Sequence, residues 1–223
     1  QYKNRRQVVY VGGNDGMLHV FNGGFYDQST YTFSDGTGYA LGQELWAYVP
    51  YNLLPHLQWL GLEDYTHVYY VDLKPKVFDA KINGQWGTFL LQGLRMGGKH
   101  IWTEKDTNGD GDFLDPGERQ DFYPTYTLIN ITDPRNPVIM WERSYEGLGM
   151  SFSRPAIIKN NEDWYAVFGS GPKDNNIDRN ADYEGWSDAA QSHIYVVDLA
   201  TGAPVAASGP NDYLFTSLHT RSF

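Results

Sequence analysis

Residues 8–22, VVYVGGNDGMLHVFN, carry the clearest strand and turn pattern in the chain. Two runs of β-branched and aromatic residues flank a Gly/Asn/Asp cluster at 12–16, a pattern that predicts an antiparallel hairpin with a longer loop. The pattern recurs twice, with strand-like runs at 88–91 and 100–102 and then at 166–168 and 193–198, each pair joined through glycines. We therefore expect a hairpin at each of the three places.

The three hairpins indicate an internal repeat of long units. Setting Val11, Leu91 and Phe168 in register gives spacings of 80 and 77 residues. Each unit also closes with a turn between two strand-like runs, so that it holds two hairpins. Four antiparallel strands per unit are typical of a β-propeller blade.

The closing turns carry a second repeated signal. A Trp stands four residues after the turn in two of the units, Trp46 after Gly42 and Trp141 after Pro137, and Ala206 takes that place in the third. We interpret the two Trp side chains as packing between neighbouring blades. A β-sandwich with coincidental turn motifs is the alternative, and it leaves this repetition unexplained.

The sequence thus predicts an all-β fold, a β-propeller with enlarged four-stranded blades. Residues 1–223 form part of one domain, with about three blades at roughly 7–50, 66–145 and 150–207 and acidic insertions at 103–122 and 173–191. Since propellers have about 4–8 blades, three cannot close a ring. We therefore expect the chain to be a piece of a larger propeller.

One patch between the first two blades has helical spacing. It holds four leucines, Leu53, Leu54, Leu57 and Leu60. Pro55 is tolerated in the first turn of a helix. The pattern predicts a short inserted helix.

Composition excludes several classes of function. The chain has 17 Lys and Arg against 27 Asp and Glu, a net charge of −10, which argues against binding to nucleic acid or to an anionic membrane surface. It has no Cys, which excludes a disulfide scaffold, a thiolate zinc site and a Cys nucleophile. No apolar run reaches the length of a membrane span, so we expect a protein that is not embedded in the membrane.

An ordered set of motifs resembles the PilY/PilC family of calcium-linked type IV pilus tip adhesins and assembly factors. The matching stretches include VVYVGGNDGMLHVFN (8–22), YTHVYYVDLKPKVFDAKI (65–82), LLQGLRMGGKHIW (90–102), NITDPRNPVIMWE (130–142) and LGMSFSRPAII (148–158). The resemblance covers most of residues 7–205. It implies a quinoprotein-like propeller, a pilus role and no enzymatic activity.

The resemblance also implies a place and partners. A member of this family would reach the cell surface or the pilus tip through the periplasm and outer membrane, as part of the fimbrium. It would contact minor pilins or the pilus tip and attach to a host or abiotic surface. The calcium loop usual in the family lies further along its propeller, so that site cannot be transferred to this chain.

The strongest local motif is DTNGDGDFLDPGE, residues 106–118. A calcium loop needs oxygen ligands on alternate residues and a Gly at the sixth position, and it contributes a backbone carbonyl at the seventh. The predicted calcium ligands are Asp106, Asn108, Asp110, Asp112 and Glu118, with Gly111 at the turn. Because Glu118 is at position 13 and not 12, the loop is not a strict EF-hand.

Some alternatives at this motif remain open. Asp115 or Asp121 could replace Glu118 as a ligand. The motif could also be a solvated acidic hairpin tip built from Asn-Gly and Asp-Gly turns. Seven carboxylates with two basic residues between 104 and 121 favour a bound cation, because such crowding costs energy.

Other candidate sites are weaker. A second acidic run at 174–188 has no Gly at the turning position, so it is interpreted as a polar surface loop, with a second ion as the alternative. The histidines have no metal-ligand spacing. No G-x-S-x-G or phosphate loop is present.

The sequence leads to one function and two alternatives. We expect a non-enzymatic adhesin and assembly module with calcium as its only cofactor. A quinone-dependent dehydrogenase on the same propeller is one alternative, against which the absence of Cys counts because that family often uses a vicinal disulfide. A generic secreted binding propeller is the other.

Overall fold

The structure is a computed structural model, and it describes residues 5–36, 38–113, 115–172 and 193–205. Within those residues the chain forms thirteen β-strands and two 3₁₀ segments. The strands group into three sheets of three or four strands and one separate two-stranded hairpin. Every strand pair is antiparallel, and the all-β prediction is confirmed.

The first sheet confirms the hairpin predicted at residues 8–22. Its strands are β1 (Gln7–Gly12), β2 (Leu18–Asp27), β3 (Thr32–Ser34) and β4 (Glu44–Tyr48). β2 pairs with β1 on one side and with β4 on the other, while β3 pairs with the far end of β2. In the hairpin, Val9 lies opposite Phe21 and Val11 opposite His19.

The second sheet corrects the second predicted hairpin. Its strands are β5 (Lys76–Ile82), β6 (Gln85–Gln92), β9 (Tyr126–Asn130) and β10 (Val138–Arg143), in the order β10-β9-β6-β5. The run at 88–91 does not pair with 100–102; it lies in β6, which pairs with β5 and β9. The run at 100–102 instead enters β7 (Ile101–Glu104), which pairs with β8 (Arg119–Phe122) as a hairpin of its own.

The third sheet confirms the third hairpin. β11 (Ala156–Asn160), β12 (Asp163–Gly169) and β13 (Ile194–Asp198) lie in sequence order. Phe168 is opposite Tyr195, and Pro204 makes a single bridge to Val197 after the closing turn. The predicted insertion at 173–191 lies outside the described residues.

The second sheet is the centre of the described fold because both of its faces are buried. Side chains alternate along a strand, so neighbours point to opposite faces. Leu90 and Ile129 pack toward the first sheet, whereas Leu91 and Leu128 pack toward the third. All four are at most 1% exposed.

The two Trp side chains link neighbouring sheets, as the sequence predicted. The Trp46 Nε1–H of β4 donates to the carbonyl of Pro134 in the closing turn of the second sheet, at 2.8 Å. The Trp141 Nε1–H of β10 donates to the carbonyl of Leu199 in the closing turn of the third sheet, at 3.0 Å. The same bond therefore joins the first sheet to the second and the second to the third.

The repeated glycines allow close contact between the hairpin loops and the connecting segments. A Cβ at Gly12 would collide with the backbone carbonyl of Val71, in the connector that leads to β5. A Cβ at Gly171 would collide with that of Met150, in the connector that leads to β11, and Gly171 also has a φ of +67°. These glycines are therefore needed where the connecting segments pack against the hairpin loops.

The predicted helix exists, but it is a 3₁₀ helix over Tyr51–Gly61. Leu53 is fully buried, whereas Leu54 is 45% and Leu60 41% exposed. In a helix with three residues per turn the buried residues are Asn52, Leu53, Pro55 and His56, which include only one of the four leucines. A second 3₁₀ segment, Arg95–Gly97, follows β6.

Candidate functional site

The acidic insertion and an adjoining cleft lie at one end of the second sheet. β6 ends there, β9 begins there, and β10 ends there. The β7–β8 hairpin projects from the segment between β6 and β9, and its tip is the acidic loop 105–118. The 3₁₀ helix contacts both strands of this hairpin.

The first half of the acidic loop has the turn geometry expected from its sequence. The Asp106 carboxylate accepts hydrogen bonds from the backbone N–H groups of Gly109 (2.5 Å) and Gly111 (2.9 Å). These bonds favour the charged form and lower the pKa of Asp106 below its ordinary value. Gly111, at the sixth position, has a φ of +81°, so the sharp turn falls at the predicted residue.

The next two predicted ligands continue the pattern. The Asn108 Oδ1 accepts from the N–H of Asp110 at 3.0 Å, and the Asp110 carboxylate accepts from the N–H of Asp112 at 2.8 Å. Asn108 also donates its amide to Asp110 and to Asp115, at 3.0 and 2.7 Å. The side chains at alternate positions are therefore held by their own loop.

Glu118 is buried within the loop, and its side chain links the two ends of the loop. It is 2% exposed, and its carboxylate accepts hydrogen bonds from the backbone N–H groups of Thr107 (2.8 Å) and Asp115 (3.2 Å). Lys105 donates its N–H to the Glu118 carbonyl at 2.9 Å. A buried carboxylate needs such partners, and here it joins the two ends of the loop.

Asp121 does not share this environment. Its carboxylate lies 2.8 Å from Arg119 Nη2 and 2.7 Å from His100 Nε2, and these two partners lower its pKa. Of the two alternatives to Glu118, Asp115 contacts the loop through Asn108, and Asp121 faces the base of the hairpin.

The described carboxylates are not grouped as a finished metal site. Within the part of the chain that the structure describes, no three His, Cys, Asp or Glu side chains are placed so that they could hold a metal ion. The oxygen donors of the loop and its turn at Gly111 suit calcium. In this structure, however, the carboxylates of the loop accept hydrogen bonds from backbone N–H groups. The second acidic run, 174–188, lies outside the described residues.

A cleft lies beside the hairpin, and we call it the tyrosine cleft. It consists of two adjoining cavities of about 540 and 370 Å³ that share Tyr123 and Ser144. The larger is lined by residues 99–100, 123–124 and 144–150. The smaller is lined by Tyr51, Asn52, Asp121, Phe122, Tyr123, Thr125, Glu142 and Ser144.

Sequence reasoning missed the tyrosine cleft because its residues are far apart along the chain. The amide of Asn52 donates to the carbonyl of Tyr123 at 2.7 Å, across a separation of 71 residues. Glu142 accepts from the Tyr51 N–H at 3.0 Å and from the Thr125 hydroxyl at 3.0 Å. No local motif could have indicated these contacts.

Sequence reasoning also missed the group around His19, because one of its two partners, Glu44, lies 25 residues away along the chain. The His19 ring nitrogens lie 2.6 Å from Glu44 and 2.7 Å from Asp15. Hydrogen bonding to Glu44, reinforced by Asp15, raises the pKa of His19. These contacts link β2, which carries His19, to β4 and to the loop between β1 and β2 in the first sheet.

The family model described as the PilY1 beta-propeller domain matches residues 1–207. The chain is 30% identical over 208 residues to the type IV pilus biogenesis factor PilY1 of Pseudomonas aeruginosa (strain PAO1), covering 90% of this chain and 13% of that protein. It is 28% identical over 222 residues to a PilY1 homolog of Xylella fastidiosa (strain Temecula1), covering 95% and 14%. The chain thus spans about an eighth of these relatives.

A solved structure extends the likeness to three dimensions. The crystal structure of the Pseudomonas aeruginosa PilY1 C-terminal domain matches with a TM-score of 0.52 and 26% identity. The match covers 93% of this chain and 31% of that one. It confirms the predicted β-propeller fold. Among the described residues, no helix is long and apolar enough to span a membrane.

Proposed function

The chain belongs to the PilY1 β-propeller family, and on that premise we propose that it is a non-enzymatic propeller module of a type IV pilus biogenesis factor. The observation that carries this proposal is the family match over residues 1–207, supported by two relatives that are named as pilus biogenesis factors. The module would act at the pilus tip, on the cell surface, as an adhesin and assembly factor.

The partners in this proposal are minor pilins on one side and a host or abiotic surface on the other. The buried second sheet and the Trp bonds between sheets form a rigid platform from which inserted loops project. Rigid presentation favours binding because less conformational entropy is lost on contact.

Deleting residues 7–205 from the full-length protein in its own bacterium tests the function. We expect fewer surface pili by electron microscopy and weaker attachment to a solid surface, both restored by the intact gene. Normal numbers of pili together with normal attachment would contradict the proposal.

We also propose that the acidic loop 106–118 binds calcium. Three observations support this: the turn at Gly111, the all-oxygen donor set of Asp106, Asn108, Asp110, Asp112 and Glu118, and the ionised state favoured at Asp106. Calcium accepts six to eight oxygen ligands in flexible geometry, which suits a loop whose side chains must turn inward. Bound calcium would supply charge neutralisation and stiffness to the hairpin.

Calcium binding is tested by thermal unfolding with and without the ion. We expect millimolar calcium to raise the melting temperature of the wild type and to leave that of Asp110→Ala unchanged. Glu162→Ala is the matched control, since that carboxylate is 80% exposed on a different hairpin. An equal rise in Asp110→Ala and the wild type would rule the loop out as the site.

A further inference from the structure

We propose that the tyrosine cleft binds a cationic group, specifically the guanidinium of an arginine side chain on a partner polypeptide. The smaller cavity would hold the cation, and the larger one would hold the adjoining peptide backbone. Their volumes, about 370 and 540 Å³, are in the range of binding sites for small ligands.

The charge of the smaller cavity favours a cation. Asp121 and Glu142 line it, and none of its lining residues is Lys or Arg. Asp121 already pairs with Arg119 through both of its carboxylate oxygens and with His100 through one. Among the described residues, Glu142 is therefore the lining carboxylate without a cationic partner. Glu142 accepts hydrogen bonds from three groups, which hold it in place at the cavity wall.

Two tyrosine rings supply flat aromatic walls. Tyr51 is 54% and Tyr123 53% exposed, although both line the cleft. Tyr51 packs on Phe122 with ring centres 5.3 Å apart, and Tyr123 stacks on His100 at 4.6 Å with the planes 6° apart. Rings held in this way are available to stack on a planar guanidinium.

A buried acceptor without a donor provides a third, independent observation. Asn52 is 1% exposed and lines the smaller cavity. Its amide nitrogen donates to the carbonyls of Tyr123 and Lys99, which fixes the orientation of the amide, while its Oδ1 has no hydrogen-bond partner. An unsatisfied buried acceptor costs free energy until a donor reaches it.

These features together select the ligand. A guanidinium offers five N–H donors and no acceptor, which matches a cavity lined by the acceptor side chains Asn52, Asp121 and Glu142. The carboxylates would repel an anion. The single Lys among the lining residues, Lys99, lies in the larger cavity and not in the one that would hold the cation.

A matched pair of ligands tests the inference on the whole chain. N-acetyl-arginine amide and N-acetyl-citrulline amide have nearly the same shape, but only the first is charged. By titration calorimetry or NMR we expect arginine to bind at least about tenfold more tightly. Equal affinities, or no binding of the arginine ligand at about 10 mM, a range too weak for recognition, would overturn the inference.

Variants then place the ligand in the cleft. Tyr51→Leu and Tyr123→Leu should each weaken arginine binding by about fivefold, while Tyr31→Leu, whose ring is 81% exposed far from the cleft, should have no effect. Lys99→Gln should strengthen binding of a cation. Weaker binding in Lys99→Gln, or equal losses in Tyr31→Leu and the cleft variants, would contradict the assignment; circular dichroism confirms that each variant is folded.

Discussion

The junction between the first and second sheets differs from the one between the second and third. Both contain a Trp that donates to a carbonyl of the next sheet. In the first junction Trp46 is half-buried, and a charged group, Glu142, accepts from the Tyr48 hydroxyl. In the second, Trp141 is 6% exposed, and Tyr145, Phe168 and Tyr195 form an aromatic cluster with ring centres 5.4 to 5.5 Å apart.

The same hydrogen bond thus occurs in two junctions that differ in what stabilises them. A net hydrogen bond contributes about 1 kcal/mol, whereas full burial of a large aromatic side chain contributes several times as much. The second junction therefore depends on packing, whereas the first combines a buried cluster around Leu90 and Ile129 with polar contacts to Glu142.

Replacing each Trp should have the largest effect and should separate the two junctions. We expect Trp141→Ala to lower the free energy of unfolding by about 3–5 kcal/mol, because it leaves a cavity in the buried cluster. Trp46→Ala removes the same bond from a half-buried position, so its cost should be about 1–2 kcal/mol.

Urea denaturation of the two variants and the wild type measures both costs. Tyr31→Ala serves as the control, because that ring is 81% exposed between β2 and β3. Equal costs for Trp141→Ala and Trp46→Ala would show that the shared bond, and not burial, determines both junctions.

Replacing Glu142 should affect mainly the first junction. Glu142→Ala leaves the Tyr48 hydroxyl and the Tyr51 N–H without their acceptor, and we expect a cost of about 2 kcal/mol in the free energy of unfolding. Glu146→Ala is the control, since this exposed carboxylate lies just beyond the same strand. If the two variants unfold alike in urea, the polar contacts contribute nothing measurable.

The smallest predicted effect is the pH dependence of the unfolding free energy that arises from His19 in the first sheet. Because Glu44 and Asp15 raise the pKa of His19 above 6.5 in the folded state, the stabilisation is complete below pH 6.5. It disappears as the pH rises through the folded-state pKa. The effect should be well below 1 kcal/mol, since the carboxylates are 44% and 48% exposed.

This pH effect is measured as the difference in unfolding free energy between the wild type and His19→Gln across pH 5–9. The difference should shrink as the pH rises. His67→Gln is the control, because His67 contacts the amide of Asn14 and no carboxylate. A difference that grows with pH would contradict the sign of the shift.

Sequence reasoning succeeded where local turn residues or a repeated pattern mark the pairing of two strands. The hairpin at residues 8–22 and the Asp133 turn between β9 and β10 follow from local turn residues. It failed at β6, because its partner β9 lies beyond an insertion with strands of its own. The helix at Tyr51–Gly61 was predicted from leucines at α-helical spacing, whereas it is a 3₁₀ helix with a shorter repeat.

In the candidate metal site, too, the local features were predicted and the contacts between strands were not. The alternation of Asp106, Asn108 and Asp110 and the turn at Gly111 are local, and the structure reproduces the turn. That Asp121 pairs with His100 depends on the register of β7 against β8, which the sequence does not reveal.

The pairing of β6 with β9 also has a consequence for how the chain folds. The two central strands of the second sheet meet only after residues 93–125 have been looped out, and closing a loop costs entropy that grows with its length. The β7–β8 hairpin forms from neighbours within that loop, and so it shortens the span that must close. Folding would then proceed outward from the hairpin: the acidic insertion folds first, and the buried central strands β6 and β9 pair late.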